Sequence, residues 1–326
     1  MAHELILMKD GKRRNITQLV GGLSWSSNTD ALGVELSFEY AFNDTLFFNK
    51  YDIIKLGDQI ALFNGSRYLG RFVVVDEGIN GRFGKTYTCF DFAWYLNKSE
   101  AVIQFNKASA TQAIRKLLDR YNIKHSVPTM NTLITHIYNG ETVSDILADI
   151  LEQVKQETGV SYRAEMDKDT LKIVKVTDLI IKPMVRFAPK MPQVPAVETI
   201  GNPSVTRSIQ ELKNTVTIVK SGEESTKVLA TLKDTSKNIG TLSTVVEVDE
   251  KNEAQARNIA KNTLAELNKV EETISVEMIG HDDIRAGRMI YLEENVTGLK
   301  GYYLIKSAAH TESGGVHTVS VELEGT

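Results

Sequence analysis

Polar and apolar residues alternate with a period of two near both ends of the chain. At the C-terminal end the alternation runs through Glu271–Gly280 and continues in segments that start at Arg288, Gly301 and Val316. Such alternation over four to eight residues is typical of half-buried β-strands. The connections are rich in turn residues, and "SGGV" contains a glycine pair that permits positive φ. The pattern predicts an antiparallel β meander.

The same four segments occur in the same order near the N-terminus. "VELSFEY", "IKLGDQIALF", "GRFVVVDEG" and "KTYTCFDF" correspond to "TISVEM", "IRAGRMIYL", "GYYLIKSAA" and "VHTVSVEL". An insertion of eight residues around "AFNDTLFF" keeps the segments in step. The structural repeat positions are Gly57 with Gly287, Ile60 with Ile290, and Gly70 with Gly301. One hairpin match would mean little, but four segments in order predict two related β domains.

The period becomes helical between the two sets. Apolar residues at helical spacing follow Ser109, and Ser109 with Gln112 forms a capping-box pattern. A second helix is predicted from Thr142 to Gly159, where glycine favours the helix end. The hairpin "GVSYRAEMDKDTLKIVKV" follows, which makes a compact α/β unit.

A connector and one further helix precede the second set. Five of the six prolines lie between Pro183 and Pro203, which predicts a semi-rigid, extended connector. A helix is expected at about residues 252–268. Hairpins precede both sets, at "ELILMKDGKRRNIT" and at Leu212–Asp234.

Together these patterns predict an α+β, mainly β fold with two tandem, related antiparallel β-barrel domains and an α/β insertion domain between them. The expected boundaries are 1–98 for the first barrel, 99–182 for the insertion, 183–203 for the connector and 204–326 for the second barrel. A chain of 326 residues is long enough for several domains.

Composition narrows the class of protein. A net charge of −4 gives no support for bulk binding of nucleic acid through phosphate neutralisation. No apolar stretch has the length of a secretory signal or of a membrane span, so we expect synthesis in the cytoplasm and no membrane insertion. Cys89 is the single cysteine, which excludes an internal disulfide and a multi-thiolate metal site.

A search for catalytic or metal-binding residues finds no convergent set. His310 and His317 flank the "TESGGV" turn, and a zinc site there would need Glu312 and Glu322 as further ligands. Histidines beside a loop are more often structural, and His281–Asp283 is expected to be a loop between strands. Consecutive glutamates in strands point to opposite faces and cannot act together as acid and base. The sequence therefore predicts no catalytic site, no metal site and no cofactor.

The order of these elements resembles the baseplate hub of contractile phage tails and of R-type bacteriocins, in particular the PBSX-like XkdQ/YqbQ-type tail hub family. The resemblance rests on "ETVSDILADILEQVKQETGVSYRAEMDKDTLKIV", on "LKNTVTIVKSG", and on the closing "IRAGRMIYLEE", "GYYLIKSAAH" and "GGVHTVSVELE". It covers most of the chain and is weakest in the first 30 residues and in the connector.

The resemblance implies a non-enzymatic structural role. In that family three chains form a ring, and each chain contributes two tail-tube-like barrels, so that a homotrimer presents six near-equivalent domains. Such a ring joins the hexameric tail tube to the trimeric central spike as a symmetry adaptor. The implied partners are the chain itself, the tail tube protein, the central spike protein and baseplate wedge or inner-baseplate (LysM-type) proteins. DNA would pass through the channel without specific contact, and the protein would become part of the phage tail or bacteriocin particle.

Two further expectations follow. Larger relatives carry an extra C-terminal domain for the spike or a cell-wall hydrolase, and because this sequence ends directly after the last strand, we expect neither attachment through such a domain nor lytic activity.

The alternative function is a β-sandwich carbohydrate-binding or adhesin module of a phage tail. Such a module favours exposed aromatic residues on loops, and only Tyr51 and Tyr138 are candidates.

Overall fold

The computed structural model describes residues 3–42, 53–79, 81, 84–188, 190–221, 226–236, 239–248 and 256–325. It is mainly β with few helices, as the sequence predicts. Most of the predicted insertion "AFNDTLFF" (43–48) lies outside the described residues, as do residues 252–255 of the last predicted helix.

The N-terminal part consists of strands. Three strands come first: β1 (His3–Lys9), β2 (Lys12–Asn15) and β3 (Val20–Asn28). Four strands of the first predicted repeat copy follow: β4 (Val34–Ala41), β5 (Gln59–Asn64), β6 (Arg67–Ile79) and β7 (Gly84–Asp91).

The middle of the chain contains three helices and several strands. Its elements are α1 (Ala93–Lys98), β8 (Glu100–Ser109), α2 (Ala110–Arg120), β9 (His125–Ser126), β10 (Leu133–Thr142), α3 (Val143–Thr158), β11 (Tyr162–Asp167) and β12 (Thr170–Lys175). The connector region contains β13 (Ile180–Ile181), β14 (Met184–Val185), β15 (Val194–Pro195) and β16 (Gly201–Ser208).

The last part of the chain consists of strands with one helix between them. It begins with β17 (Thr215–Ser221), β18 (Thr226–Lys233), β19 (Ser243–Glu247) and α4 (Ala256–Leu267). The second repeat copy consists of β20 (Glu271–Ile279), β21 (Met289–Glu294), β22 (Leu299–Ser313) and β23 (Val316–Gly325).

The two copies share one thirteen-stranded sheet, and the predicted tandem barrels are not confirmed. The strand order is β16, β20, β23, β22, β3, β4, β7, β6, β5, β1 and β2, while β21 pairs with both β13 and β22. The copies meet because β22 pairs antiparallel with β3, with His310 opposite Trp25. No sheet formed by the described residues closes on itself.

The predicted helices of the insertion occur where the pattern places them. Helix α2 has the expected capping box, in which the Ser109 hydroxyl accepts from the Gln112 amide and the Gln112 side chain accepts from the Ser109 amide. Helix α3 ends at Gly159, which has a left-handed φ of 71°. The inner faces of both helices pack on β8, β10 and the β11–β12 hairpin to form a core of their own. The short helix α1 is missing from the sequence prediction.

By contacts the chain divides into two compact units: residues Met1–Ser204 with Ser275–Thr326, and Val205–Ile274. In the second unit β17 pairs antiparallel with β18 and parallel with β19. Its core contains Val216 and Ile218 of β17 together with Ala256 and Ala260 of α4.

Candidate functional site

The four-stranded copies have the same pairing order. In the first copy β5 pairs with β6, β6 with β7, and β7 with β4. In the second copy β21 pairs with β22, β22 with β23, and β23 with β20. A meander whose last strand pairs back with the first is therefore present twice.

The register agrees residue by residue at the predicted repeat positions. Ile60 lies opposite Phe72, and Ile290 lies opposite Tyr303. Two residues further along the first strand of each pair, Leu62 lies opposite Gly70 and Leu292 lies opposite Gly301. Both isoleucines are buried. The equivalent pairs therefore occupy equivalent places in the two hairpins.

The two turn glycines make equivalent hydrogen bonds. The Gly57 amide donates to the Val74 carbonyl at 2.8 Å, and the Gly287 amide donates to the Ile305 carbonyl at 2.7 Å. Their φ angles are 84° and 81°, a left-handed conformation that favours glycine. The next strand pair has a bulge directly after Val74 in one copy and directly after Ile305 in the other. Bulges disrupt a ladder at a defined position, so a shared bulge is a more specific likeness than shared alternation.

The junction of the copies contains a buried ring stack. The indole of Trp25 on β3 lies parallel to the imidazole of His310 on β22, with centroids 4.8 Å apart and planes inclined by 5°. Both side chains are buried. Residues on either side extend the same pairing, from Leu23 opposite Glu312 to Asn28 opposite Ser307.

His3 joins the first strand of the chain to the second copy. Its Nδ1 atom lies 2.5 Å from Oε2 of Glu312, and its Nε2 atom lies 2.9 Å from Oδ1 of Asp282. Burial lowers the pKa of His3, but the hydrogen bonds and charges of the two carboxylates outweigh burial and raise it above its ordinary value. The other oxygen of Asp282 accepts from the Asn64 amide at 2.9 Å. This carboxylate of the second copy is thus held by His3 on β1 and by Asn64 of the first copy.

A second histidine pair lies beside His3. His310 Nε2 lies 2.7 Å from the Ile284 carbonyl, which can only accept, so this nitrogen carries the proton. The Nδ1 atom of neutral His310 is then an acceptor for His317 Nε2 at 2.9 Å. Burial lowers the pKa of His310 to about 3 and that of His317 to about 4. Both rings are therefore neutral near pH 7.

These contacts revise the sequence interpretation of the histidines. His310 and His317 do face each other, but Glu312 binds His3, and Glu322 accepts from the Ser307 hydroxyl. His281–Asp283 is a loop as expected, yet its Asp282 binds His3 and so belongs to the same group as His310 and His317. His3 and Asp282 were missed. The signal for His3 was available, because it shares the buried alternating face of β1 with Leu5 and Leu7.

The insertion contacts the second copy through buried charges. Arg285 donates to the Met166 carbonyl of β11 at 2.9 Å, and burial lowers its pKa while the charge of Glu165 acts in the opposite direction. Arg288 forms an ion pair with Glu165 at 3.3 Å. Arg163, also on β11, donates to the Asn28 carbonyl at 3.2 Å. Glu165 thus lies within a group of three arginines, and Arg288 also lies 3.9 Å from Asp283.

Other candidate residues have structural surroundings. Cys89 is fully buried on β7, and burial raises the pKa of its thiol well above the ordinary range. Tyr138 is buried on β10, where its hydroxyl donates to Asp149 at 2.5 Å, so it is not an exposed loop residue. Tyr51 lies outside the described residues. In the described part of the chain, no helix is long and apolar enough to cross a membrane.

The mainly β fold is that of phage tail proteins. The crystal structure of the 43 kDa tail protein of prophage MuSo2 from Shewanella oneidensis has a TM-score of 0.70 and 16% identity, with 98% of each chain covered. An E. coli component of the type VI secretion system, described as structurally similar to the T4 bacteriophage tail proteins gp27 and gp5, has a TM-score of 0.51 and 10% identity. The alignment covers 94% of this chain and 73% of the E. coli chain.

Sequence comparison then identifies the family. The YQBQ-like family model matches residues 23–324, so the chain belongs to the YQBQ-like family. Two proteins of Bacillus subtilis strain 168 are similar to it. The uncharacterized protein YqbQ is 26% identical over 73% of this chain and 72% of its own. The phage-like element PBSX protein XkdQ is 24% identical over the same shares. The family match confirms the resemblance to XkdQ/YqbQ-type proteins that the sequence predicts.

Proposed function

We propose that this protein is the structural hub of a contractile-tail baseplate, a homotrimeric ring that joins the hexameric tail tube to the trimeric central spike. The observation that carries the proposal is the repeat. Two β modules in one chain share pairing order, register, turn hydrogen bonds and a bulge position. Three such chains would present six near-equivalent modules to the tube and three identical chains to the spike.

In this proposal each copy is one tail-tube-like domain, and the two arose by duplication. Gly57, Ile60 and Gly70 in one copy then have the same structural role as Gly287, Ile290 and Gly301 in the other. The β22–β3 pairing holds the two domains of one chain side by side. Since no sheet of the described residues is closed, closure of a tube would require strands from neighbouring subunits.

The proposed partners are the tail tube protein, the central spike protein and inner-baseplate proteins of the wedge or LysM type. Their choice is supported by the family and by the likeness in fold to tail and secretion-system proteins. The role is mechanical and requires neither catalysis nor a cofactor. DNA would cross the ring without specific contact, and the protein would be made in the bacterial cytoplasm before assembly into the particle.

Electron-microscope class averages of the purified chain, with mass from light scattering, test the proposal. We expect a threefold ring with six lobes around an open channel and a mass of about 109 kDa, three times the chain mass of 36.3 kDa. A chain that stays monomeric alone and also fails to form a ring when mixed with its tube and spike proteins would contradict the hub. Saturable binding on a glycan array by such a monomer would favour the carbohydrate-binding alternative.

A further inference from the structure

We propose that His3, Asp282 and His317 form a binding site for a divalent transition-metal ion, for which Zn²⁺ is the best match. Each residue offers one ligand atom, and these atoms all lie within 4.8 Å of one another. Two imidazoles and one carboxylate are a common ligand set for such ions. No metal site is predicted from the sequence, in which His3 and Asp282 lie about 280 residues apart.

Each candidate ligand already has an outer hydrogen-bond partner. The His3 Nδ1 atom faces Glu312, which leaves Nε2 for a metal. Asn64 donates to one oxygen of Asp282 and leaves the other oxygen directed at His3. Metal-binding histidines and carboxylates are usually held in this way by a second hydrogen bond.

His317 is likewise held by a hydrogen bond to an outer partner, His310. Its Nε2–H donates to His310, whose own proton is fixed by the Ile284 carbonyl. This hydrogen bond uses Nε2 and leaves Nδ1 of His317 as its candidate ligand atom.

The charges around His3 also favour a bound cation. Both ring nitrogens of His3 face a carboxylate oxygen, and the side chains of His3, Glu312 and Asp282 are 1%, 0% and 6% exposed. A lone pair on Nε2 cannot rest 2.9 Å from a carboxylate unless a cation lies between them, either a proton or a metal ion. Two nearly buried carboxylates beside one histidine favour a divalent cation, because unpaired buried charge is costly.

Zinc binding would require only a small movement of the three side chains toward one another. Zinc binds imidazole nitrogen and carboxylate oxygen at about 2.0–2.2 Å, so tetrahedral ligands lie roughly 3.3 Å apart. The 2.9 Å separation of His3 and Asp282 is close to this distance. His317 would approach by about an ångström or more, and its partly exposed ring leaves a route for a water molecule as fourth ligand.

Such an ion would link β1, the loop after β20 and β23, and so fasten the first strand of the chain to the second copy. This goes beyond the hub proposal and does not depend on it. A metal that binds only the folded chain stabilises it in proportion to the logarithm of ligand concentration over Kd.

The test uses the full, untagged chain after EDTA treatment and dialysis. Isothermal titration with ZnCl₂ is expected to give one saturable site per chain and a raised Tm. Asp282→Asn and His317→Ala should weaken Zn²⁺ binding at least tenfold, whereas His136→Ala, an exposed histidine outside the cluster, should not change it. Glu312→Gln keeps all three ligands and should weaken binding about 10–100-fold, because it alters only the outer partner of His3.

Co²⁺ titration of the wild-type chain gives a readout independent of whether variants fold. We expect the intense visible absorption of four- or five-coordinate Co²⁺. Absence of saturable Zn²⁺ binding to the folded wild type would overturn the proposal, as would a weak octahedral Co²⁺ spectrum or binding that Asp282→Asn and His317→Ala both leave unchanged.

Discussion

The indole of Trp25 and the imidazole of His310 lie face to face, 4.8 Å between centroids, although 285 residues separate them in the chain. They sit opposite each other on β3 and β22, the strands through which the two copies share a sheet. The stack therefore marks the point where the N-terminal and C-terminal parts of the fold are joined.

Replacing Trp25 by alanine should lower the free energy of unfolding by about 3–5 kcal/mol, because it leaves a cavity in this junction. Trp25→Phe retains an aromatic face and should cost less. Urea unfolding followed by far-ultraviolet circular dichroism measures both. Trp94→Ala is the control, since that indole lies on α1 and is partly exposed. Equal effects of Trp25→Ala and Trp94→Ala would show that the junction contributes little.

The equivalent turn glycines offer a matched pair. Gly57→Ala places an L-residue at positive φ but meets no atom within 4 Å, so it should cost about 1–2 kcal/mol. Gly287→Ala carries the same backbone strain, and its Cβ would also collide with the Arg163 guanidinium. We therefore expect Gly287→Ala to be the more destabilising in the same urea assay. The reverse order would mean that Arg163 moves aside freely.

Asp91 should give the stability a distinct pH dependence. Its two oxygens accept from the Val34 and Ala93 amides at 2.9 and 3.0 Å, and burial raises its pKa from 3.8 to about 6 although the Arg285 charge opposes the shift. The folded state then holds a proton that the unfolded state has released. This contribution is complete below pH 3.8 and is lost as the pH rises through about 6.

The loss amounts to roughly 3 kcal/mol for a shift of about two pKa units. We expect the unfolding free energy of the wild type, measured relative to Asp91→Asn, to fall by that order between pH 4 and pH 6.5. Asn cannot titrate, so the variant provides the baseline. A difference that stays constant over this range would show that Asp91 is ionised in the fold throughout.

The buried charges between the insertion and the second copy should respond unequally to removal. Glu165→Gln removes a carboxylate whose charge acts on Arg163, Arg285 and Arg288, and we expect it to lower the free energy of unfolding by about 3–5 kcal/mol. Arg288→Met leaves Glu165 with two arginines and should cost less. Thermal unfolding of both variants measures the order. If Arg288→Met is the worse variant, the ion pair rather than the charge balance dominates.

Much of the fold could be predicted from local pattern. The strands of both copies and helices α2 and α3 follow from periodicity and caps, since Ser109, Thr142 and Gly159 act through neighbours in the chain. The pairing of β22 with β3 could not be predicted, because alternation shows that a strand has a buried face but not which strand lies beside it. The two predicted barrels are not confirmed for the same reason, since the copies share one sheet and no sheet of the described residues is closed.

The candidate site was harder to predict for the same reason. His310 and His317 are close in sequence and were noticed together, whereas His3 and Asp282 reach them only through the assembled sheet. A lone histidine on an apolar strand face usually indicates a core position, and the two carboxylates that give His3 its role come from distant loops and strands. Helix α1 was missed because six residues are too few for a helical period to appear.

The pairing of β3 with β22 also determines when β3 can become fully paired during synthesis. Ala308, which pairs with Ser27, is synthesised about 280 residues later, and until then β3 has no neighbour on that side. At the usual 5–20 residues per second this takes roughly 15–60 s, during which β3 is a bare edge on the growing chain. An unpaired edge can recruit the strand of another nascent chain. The risk of mispairing at this edge therefore persists until β22 has been synthesised and has paired with β3.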